Sequence, residues 1–236
     1  MKKIIVASLV VSACCAVQTM ADTIAAANTL SAPGLYLGLQ LGSASGHSSM
    51  VEYDAGATDP DGYTWNGADK AAVSGVYLGA NLLTKDKIVM GVEADLGFAH
   101  LSDEGLLLDA GAPDSRYLYG WKSGLQGSLR ARVGVMAGNA LFYLTGGVAM
   151  GQQTFKTFEV ESDTISENNQ RTMAGPTVGA GVEFAISTHV TARIEYRYTD
   201  FGNAKITPNI SGNDGNYDDK VNVTQQNLMV GVSYRF

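Results

Sequence analysis

The sequence has very little cysteine, and both cysteines lie near its start. Cys14 and Cys15 fall within the first 21 residues, so a disulfide framework is excluded from the rest of the chain. No stretch of 18 or more apolar residues follows the start, which excludes helical membrane spans there. Basic residues are also scarce, with 16 Lys and Arg against 23 Asp and Glu. No basic patch points to nucleic acid as a partner.

The first 21 residues have the composition of a signal peptide. A positive start, Met1-Lys2-Lys3, is followed by an apolar run over 4–17, and Ala21 provides a small residue for cleavage before Asp22. The run is too short for a stable transmembrane helix, which needs roughly 20 apolar residues. Residues 11–14 also resemble a lipoprotein cleavage box, which leaves lipidation of Cys14 open. The pattern predicts export, with residues 1–21 removed and 22–33 forming an N-terminal periplasmic extension.

Beyond the leader, apolar and polar residues alternate along short segments. The chain contains 28 glycines and only five prolines, and its apolar residues recur with period two, as in β-strands that have one apolar face. Eight such segments are present: 34–42, 74–82, 90–98, 121–135, 142–151, 176–186, 193–202 and 227–236.

The connections between these segments alternate between short and long. Three are tight turns, at 83–87, 137–140 and 187–189. The other four are long loops, at 46–70, 102–120, 156–171 and 200–220. Tight turns at one end and long loops at the other, on an even number of antiparallel strands, are typical of outer-membrane barrels. We therefore predict an all-β, eight-stranded antiparallel up-and-down transmembrane β-barrel over residues 34–236.

The polar face of the predicted strands carries charges suited to a closed lumen. It contains five arginines, four acids and no lysine, which favours paired charges in a confined space over a solvated surface. The apolar face is broad and suits lipid. We therefore expect a structural ion network inside the barrel, in pairings that the sequence leaves open, formed by Glu93, Asp95, Arg130, Arg132, Glu183, Arg193, Glu195 and Arg197. Arg235 belongs to the same face.

The carboxyl end has a pattern of its own. The chain ends on an aromatic residue with apolar residues at alternate positions before it: Leu228, Val230, Val232, Tyr234 and Phe236. This arrangement resembles the signal read by the outer-membrane assembly machinery. A plain final strand would explain the alternation but not the terminal Phe236.

Six stretches carry a resemblance to a known family. They are "GVEADLGFA" (91–99), "SLRARVGV" (128–135), "FYLTGGVA" (142–149), "TVGAGVEFAI" (177–186), "RIEYRYTDFG" (193–202) and the last ten residues. By these stretches the chain resembles the small outer-membrane β-barrel proteins of Gram-negative bacteria. It is most similar to the porin-like or opacity-like surface antigens of alphaproteobacteria, whose relatives include haemin-binding proteins. Pro176 departs from the Trp that such proteins often have, and it is tolerable if it opens the strand.

Motifs for catalysis or metal binding are weak. Glu93 and Asp95 could form an acid/base pair, but the arginines on the same face favour a structural role. No nucleophile–base arrangement appears, so an enzyme is not expected. The histidines, His47, His100 and His189, lack metal-ligand spacing. A haem contact by the two near the loops is an alternative, but we expect no cofactor.

Two classes of function remain. The first is a structural barrel in the cell outer membrane, with both termini periplasmic and long extracellular loops that contact partners. Its expected partners are outer-membrane lipid and lipopolysaccharide, the barrel assembly machinery and host surface molecules. The second is a narrow porin-like diffusion channel, which is disfavoured because eight strands leave room only for side chains.

The predicted loops are acidic. They contain 17 of the 23 acids: Glu52, Asp54, Asp59, Asp61, Asp69, Asp103, Glu104, Asp109, Asp114, Glu159, Glu161, Asp163, Glu167, Asp200, Asp214, Asp218 and Asp219. Loops on a rigid barrel are where recognition usually resides. We therefore expect the loops to be an acidic working surface for bridging cations or basic host surfaces, with plain solubility as the alternative.

Overall fold

Ten β-strands form the part of the chain that the computed structural model describes, which is residues 30–54, 60–109, 111–159, 164–165, 169–206 and 217–236. The predicted signal peptide and most of the N-terminal extension lie outside these residues. The strands are β1 (Gly34–Asp54), β2 (Pro60–Lys85), β3 (Ile88–Ala99), β4 (Ser102–Asp109), β5 (Ala112–Ala137), β6 (Ala140–Glu159), β7 (Thr164–Ile165), β8 (Asn169–Ala185), β9 (Val190–Ile206) and β10 (Tyr217–Arg235).

Eight of these strands close into a ring. The order around the ring is β1-β2-β3-β5-β6-β8-β9-β10, and β10 returns to pair with β1. Every neighbouring pair is antiparallel, and the closing pair runs from Tyr36 opposite Arg235 to Asp54 opposite Tyr217. The strands β4 and β7 are additions to the ring, since β4 pairs with β2 and β5, and β7 pairs with β6. The predicted eight-stranded antiparallel barrel is confirmed.

The two ends of the barrel differ. At the turn end, two-residue connections join β2 to β3 and β5 to β6, with Asp86 (φ 57°) and Gly138 (φ 63°) in the left-handed region that such hairpins favour. The start of β1 and the end of β10 lie at this end too. At the opposite end, which we call the hairpin end, the strands extend far beyond the length needed to cross a bilayer.

Within the described residues, much of the predicted long loops is strand. The structure continues β1 to Asp54 and begins β2 at Pro60, so only 55–59 separate them. The strands β1 and β2 contain 21 and 26 residues, whereas a transmembrane strand needs about 9–11. The predicted loop 102–120 likewise contains β4 and the first part of β5. The loop boundaries expected from the sequence were therefore wrong by about ten residues on several strands.

An apolar belt surrounds the outside of the barrel near the turn end. Its side chains point outward on alternate positions and are exposed, including Leu39, Leu129 and Leu144 at 61–67%. Along β10 and the residue that follows it, the belt runs from Leu228 to Phe236, nine residues, which matches the length of a transmembrane strand. The apolar face of the strands therefore points outward, and the ionised face points inward.

Both faces change polarity toward the hairpin end. Along β10 the inward residues change from Asn227 and Gln225 to the apolar Val223 and Val221. The outward positions change in the opposite sense, so that Leu228 is followed by Gln226 and then by other polar residues. The barrel therefore has the polarity of a membrane protein near the turn end and that of a water-soluble barrel at the hairpin end.

The inside of the hairpin end is an apolar cluster, which we call the hairpin-end core. Its largest members are aromatic: Trp65, Tyr119, Trp121 and Phe155, each at most 2% exposed. The Trp65 and Tyr119 rings lie 5.1 Å apart between centroids. This core explains the long strands, because burying its side chains stabilises an extension that the membrane does not support.

The described residues that precede β1 pack against the inside of the turn end. Leu30 is fully buried against Val89 and Leu141. The Leu30 carbonyl accepts a hydrogen bond from Asn81 Nδ2 at 2.9 Å, and the Ala32 carbonyl accepts one from Arg235 Nη2 at 3.2 Å. Within the described residues, no helix is long and apolar enough to cross a membrane.

We expected Pro176 to be the first residue of a strand, and the structure shows that it is not. It lies inside β8, opposite Val148 of β6. The ladder between β8 and β9 reaches only from Ala185 to Thr177, so Pro176 stands immediately beyond its end. The missing N–H is tolerated where a ladder stops, which gives the physical reason for the placement.

Candidate functional site

The inner wall near the turn end carries a cluster of charged side chains from four strands, which we call the lumen network. Alternate positions place all of them on the inner face. Glu93 and Asp95 come from β3, and Glu183 comes from β8. The arginines and the remaining acid come from β5 and β9, and they are Arg130, Arg132, Arg193, Glu195 and Arg197. All eight residues predicted for an ion network thus face one another.

Arg193 connects opposite sides of the ring. Its Nη1 donates to Glu93 Oε2 at 2.6 Å, and its Nη2 donates to Gln40 Oε1 at 2.7 Å. The guanidinium also lies 3.4 Å from the centroid of the Tyr77 ring, which is a cation–π contact. One arginine therefore joins β9 to β1, β2 and β3.

Arg130 bridges three acids of the network. Its side chain is fully buried and forms ion pairs with three acids: with Glu195 at 2.7 Å, with Asp95 at 3.1 Å, and with Glu93. Its Nη1 also donates to Thr145 Oγ1 at 3.2 Å. Such charge-assisted hydrogen bonds are roughly twice as strong as neutral ones.

Arg197 and Arg132 complete the pairing on two sides. Arg197 Nη1 donates to Asp95 Oδ1 at 3.1 Å, and its Nη2 donates to Glu195 Oε1 at 2.8 Å. Arg132 pairs with Glu183 through Nη2. Its guanidinium carbon lies 4.1 Å from the Tyr143 ring centroid.

Neutral side chains donate further hydrogen bonds to the acids. The Tyr36 hydroxyl donates to Glu93 Oε2 and the Tyr143 hydroxyl donates to Glu195 Oε2, both at 3.0 Å. Thr191 Oγ1 donates to Glu183 Oε1 at 2.7 Å. Buried carboxylates are costly unless their lone pairs are satisfied, and these donors meet that requirement.

The network carries a small positive excess. Four acids face four arginines, and Arg235 adds a fifth positive charge near the turn end, 3.9 Å from Glu183. The Arg235 side chain is only 4% exposed. Within the described residues no group of three His, Cys, Asp or Glu side chains is arranged to hold a metal ion. The arrangement is suited to bracing the wall and to attracting anions.

The residues of the predicted assembly signal lie on the outside of β10. Leu228, Val232 and Tyr234 are about half exposed, and Phe236 is 76% exposed. The Phe236 amide donates to the Leu35 carbonyl at 3.0 Å, so the last residue is held against β1. These side chains form part of the apolar belt.

Some of the acids expected to form an exposed working surface are instead buried or bound to backbone amides. Asp219 is buried at 2% exposure. Asp69 and Asp103 are held by strand backbone: Asp69 Oδ2 accepts from the Ser102 amide at 2.8 Å, and Asp103 Oδ2 accepts from the Ala68 amide at 2.9 Å. Glu104 is exposed. Several other acids lie outside the residues whose side chains are described: Asp54, Asp59, Asp61, Glu159, Glu161, Asp163, Glu167, Asp214 and Asp218.

The histidines are separated from one another and from the lumen network. His47 and His100 are exposed on the outside of the barrel. His189 stacks on Tyr234 at the turn end, with 5.5 Å between ring centroids. The tyrosines of the network and the hairpin-end core were not predicted from the sequence, although the alternation of Tyr36 with apolar residues indicates an inward position for its ring.

The closed ring of strands and its apolar belt are also found in known outer-membrane proteins. The family model described as "Outer membrane protein beta-barrel domain" matches residues 7–236. The chain belongs to this outer-membrane β-barrel family. It is 31% identical over 191 residues to the 25 kDa outer-membrane immunogenic protein of Brucella abortus, covering 74% of this chain and 75% of that protein. The resemblance to small outer-membrane barrels expected from the sequence is confirmed.

Solved structures share the fold at low identity. OprG of Pseudomonas aeruginosa aligns with a TM-score of 0.53 and 17% identity, over 86% of this chain and 96% of that chain. The outer-membrane protease OmpT of Escherichia coli aligns with a TM-score of 0.53 and 10% identity, over 86% and 97%. At such identities the likeness concerns the barrel architecture alone.

Proposed function

We propose that this outer-membrane barrel is a non-catalytic structural protein of the envelope that displays its hairpin end to the outside of the cell. The observation that carries the proposal is the lumen network, in which side chains from opposite walls contact each other directly. A barrel braced in this way resists deformation and leaves its interior occupied by its own side chains. The hairpin-end core fills the interior further along the axis.

The proposed orientation places both termini in the periplasm. Short turns on the periplasmic side and long connections outside are usual in bacterial barrels. The polarity of the hairpin end supports this, since its outward face suits water and its inward face is buried. The Brucella relative is named an outer-membrane immunogenic protein, which agrees with display of part of the chain at the surface.

Single cysteines test the orientation. The chain has cysteines only at 14 and 15, so after the predicted processing an introduced cysteine is the only one present. Ala112→Cys lies at the hairpin end and Asn139→Cys at the turn end, and both positions are exposed. On intact cells a membrane-impermeant maleimide should label the first and spare the second. Labelling of Asn139→Cys alone would show that the barrel has the opposite orientation.

A narrow channel is the second candidate, because the lumen near the turn end is polar and carries an excess of one positive charge. A channel of this kind would favour anions. Purified protein in planar bilayers tests the two candidates. A structural barrel should give no steady conductance, whereas stable anion-selective steps would favour the channel.

Three kinds of partner follow from the proposed location. The apolar belt would contact outer-membrane lipid, including lipopolysaccharide, and the last strand with Phe236 would be bound by the barrel assembly machinery. The exposed hairpin end would be available to host surface molecules. Exposed charges there would make such contacts weaken with salt, since the Debye length is about 8 Å at physiological ionic strength.

A further inference from the structure

A groove interrupts the apolar belt on the outside of the barrel, between β5 and β6. Its volume is about 520 Å³, within the range of pockets that hold small ligands. It is lined by Leu96, Leu125, Gly127, Leu129, Val148 and Met150.

The groove has a local cause in the strand register. Gly127 stands opposite Leu96 on one side and Met150 on the other, so the middle of this row has no side chain. Just above it, Gly124 and Leu125 of β5 face a single residue of β6, Gln152, which forms a β-bulge. Because Gly127 has no side chain, the groove has depth at this point, and the bulge at Gly124 and Leu125 widens it.

The upper rim of the groove is polar and leads to two lysines. Gln152 and Thr172 line the rim on β6 and β8. Beyond them Lys122 pairs across the strands with Thr154, and Lys156 pairs with Gly120. Lys122 and Lys156 are therefore diagonal neighbours on the outer face, a relation that brings Cβ atoms within about 7–8 Å of each other.

The two lysines have no ion-pair partner among the residues that the structure describes. The nearest acid by register is Glu104, which lies across Gly120 from Lys156. The rim of the groove therefore has two positive charges and one negative charge. They lie above the apolar part of the groove, which we call the trough. This combination complements a molecule that has an acyl chain below and a phosphate above.

We propose that the groove binds a phosphorylated, acylated glycolipid of the lipid A class, with an acyl chain in the trough and a phosphate between Lys122 and Lys156. The proposal rests on the proposed orientation, because that orientation places the rim in the outer leaflet. It deepens the expected contact with lipopolysaccharide by giving it a location. A basic residue near a membrane surface adds about fivefold to the binding of an anionic lipid.

Binding to refolded protein in detergent micelles tests the site, with bisphosphorylated lipid A, its dephosphorylated form and phosphatidylglycerol as probes and native mass spectrometry as the measurement. Lys122→Gln with Lys156→Gln should weaken lipid A binding by about 20-fold and leave the dephosphorylated form unchanged. The control is Lys70→Gln with Lys220→Gln, which removes two exposed outward charges elsewhere. Equal weakening by both pairs would overturn the site.

A second variant tests the trough. Val148→Trp should fill it and weaken both forms of lipid A at least tenfold, while Val76→Trp, another exposed belt position, should weaken neither. If Val148→Trp binds like the parent, or if phosphatidylglycerol binds as tightly as lipid A, the proposal is wrong. Met150→Trp replaces Val148→Trp if that variant does not refold. The labelling of Ala112→Cys and Asn139→Cys tests the orientation of the barrel separately, because it does not depend on lipid binding.

Discussion

Arg193 and Glu93 belong to strands that face each other across the eight-stranded ring, and the nitrogen and oxygen that join them lie 2.6 Å apart. Three strands separate β9 from β3 in either direction around the ring. A contact of this length between opposite walls means that the interior is spanned by two side chains. The network therefore acts as a set of cross-braces.

The first prediction concerns the cross-brace itself. Arg193→Met removes one charged partner of the buried Glu93, and leaving a buried charge fully unpaired typically costs about 3–5 kcal/mol of unfolding free energy. Because Arg130 still pairs with Glu93, that range is the upper bound of the expected loss. Urea unfolding of the refolded barrel in micelles measures the change. The control is Arg235→Met, because its nearest acid is 3.9 Å away and the loss should be smaller. Equal losses in the two variants would contradict a special role for the cross-brace.

The second prediction concerns pH and the hairpin-end core. Burial, and then the charge of Asp219, raises the pKa of Tyr119 well above its ordinary value of about 10. The folded protein therefore keeps the proton at pH values where the unfolded chain releases it. The Tyr119 contribution to stability is complete below pH 10 and falls as pH rises above it, by up to about 1.4 kcal/mol per pH unit.

Tyr119→Phe isolates this contribution. The Tyr119 hydroxyl has no hydrogen-bond partner within the described part of the chain, so the change should cost little near pH 7. Above pH 10 the unfolding free energy of the variant should fall less steeply than that of the parent. Parallel curves from pH 9 to 11 would show that Tyr119 does not stay protonated in the folded state.

The third prediction concerns the extension of the strands beyond the belt. Trp121 is fully buried and its Nε1 donates to Gln153 Oε1 at 2.9 Å. Trp121→Ala removes a large core side chain, which costs about 3–5 kcal/mol, and should make the hairpin end sensitive to protease while the belt region stays protected. Limited proteolysis in vesicles measures this, with Trp121→Phe as the milder control. Protection equal to the parent would contradict the role of the core.

The fourth prediction concerns assembly. Deleting Phe236 should slow insertion, because the terminal aromatic is part of the expected assembly signal and its amide pairs with Leu35. The folded fraction over time is measured by the different migration of boiled and unboiled samples on a denaturing gel. Phe98→Ala removes another half-exposed belt aromatic and serves as the control. Similar kinetics in the two variants would leave Phe236 as an ordinary belt residue.

The ring and the inward direction of the charges could be predicted because period-two alternation is the direct signature of strands with unlike faces. Arg130 and Arg132 flank Ala131, and this spacing places both arginines on one face whatever the ends of the strand. The individual pairings could not be predicted, since Arg193 finds Glu93 across the ring and not on a neighbouring strand. The distance across the lumen is a property of the closed ring.

The strand extensions were missed for a different reason. Val221 and Val223 alternate with polar residues as a strand requires, but they follow a segment rich in Gly, Asn and Asp that is typical of loops. Their apolar side chains point inward, the reverse of the belt, so the strand predicted from the polarity of the belt begins only at Asn227. A reversal of polarity along a strand is the signal that would have revealed them.

The long strands determine which residues an antibody could contact on the folded protein. On β1 the outward residues beyond the belt are Ser43, Ser45 and His47, while Ala44 and Met50 are buried. An antibody against the folded barrel would contact every second residue of neighbouring strands. A synthetic peptide copied from one strand would expose both faces and lack the neighbours. Intact barrels in membrane vesicles, in contrast to linear peptides, preserve the surface that such an antibody would recognise.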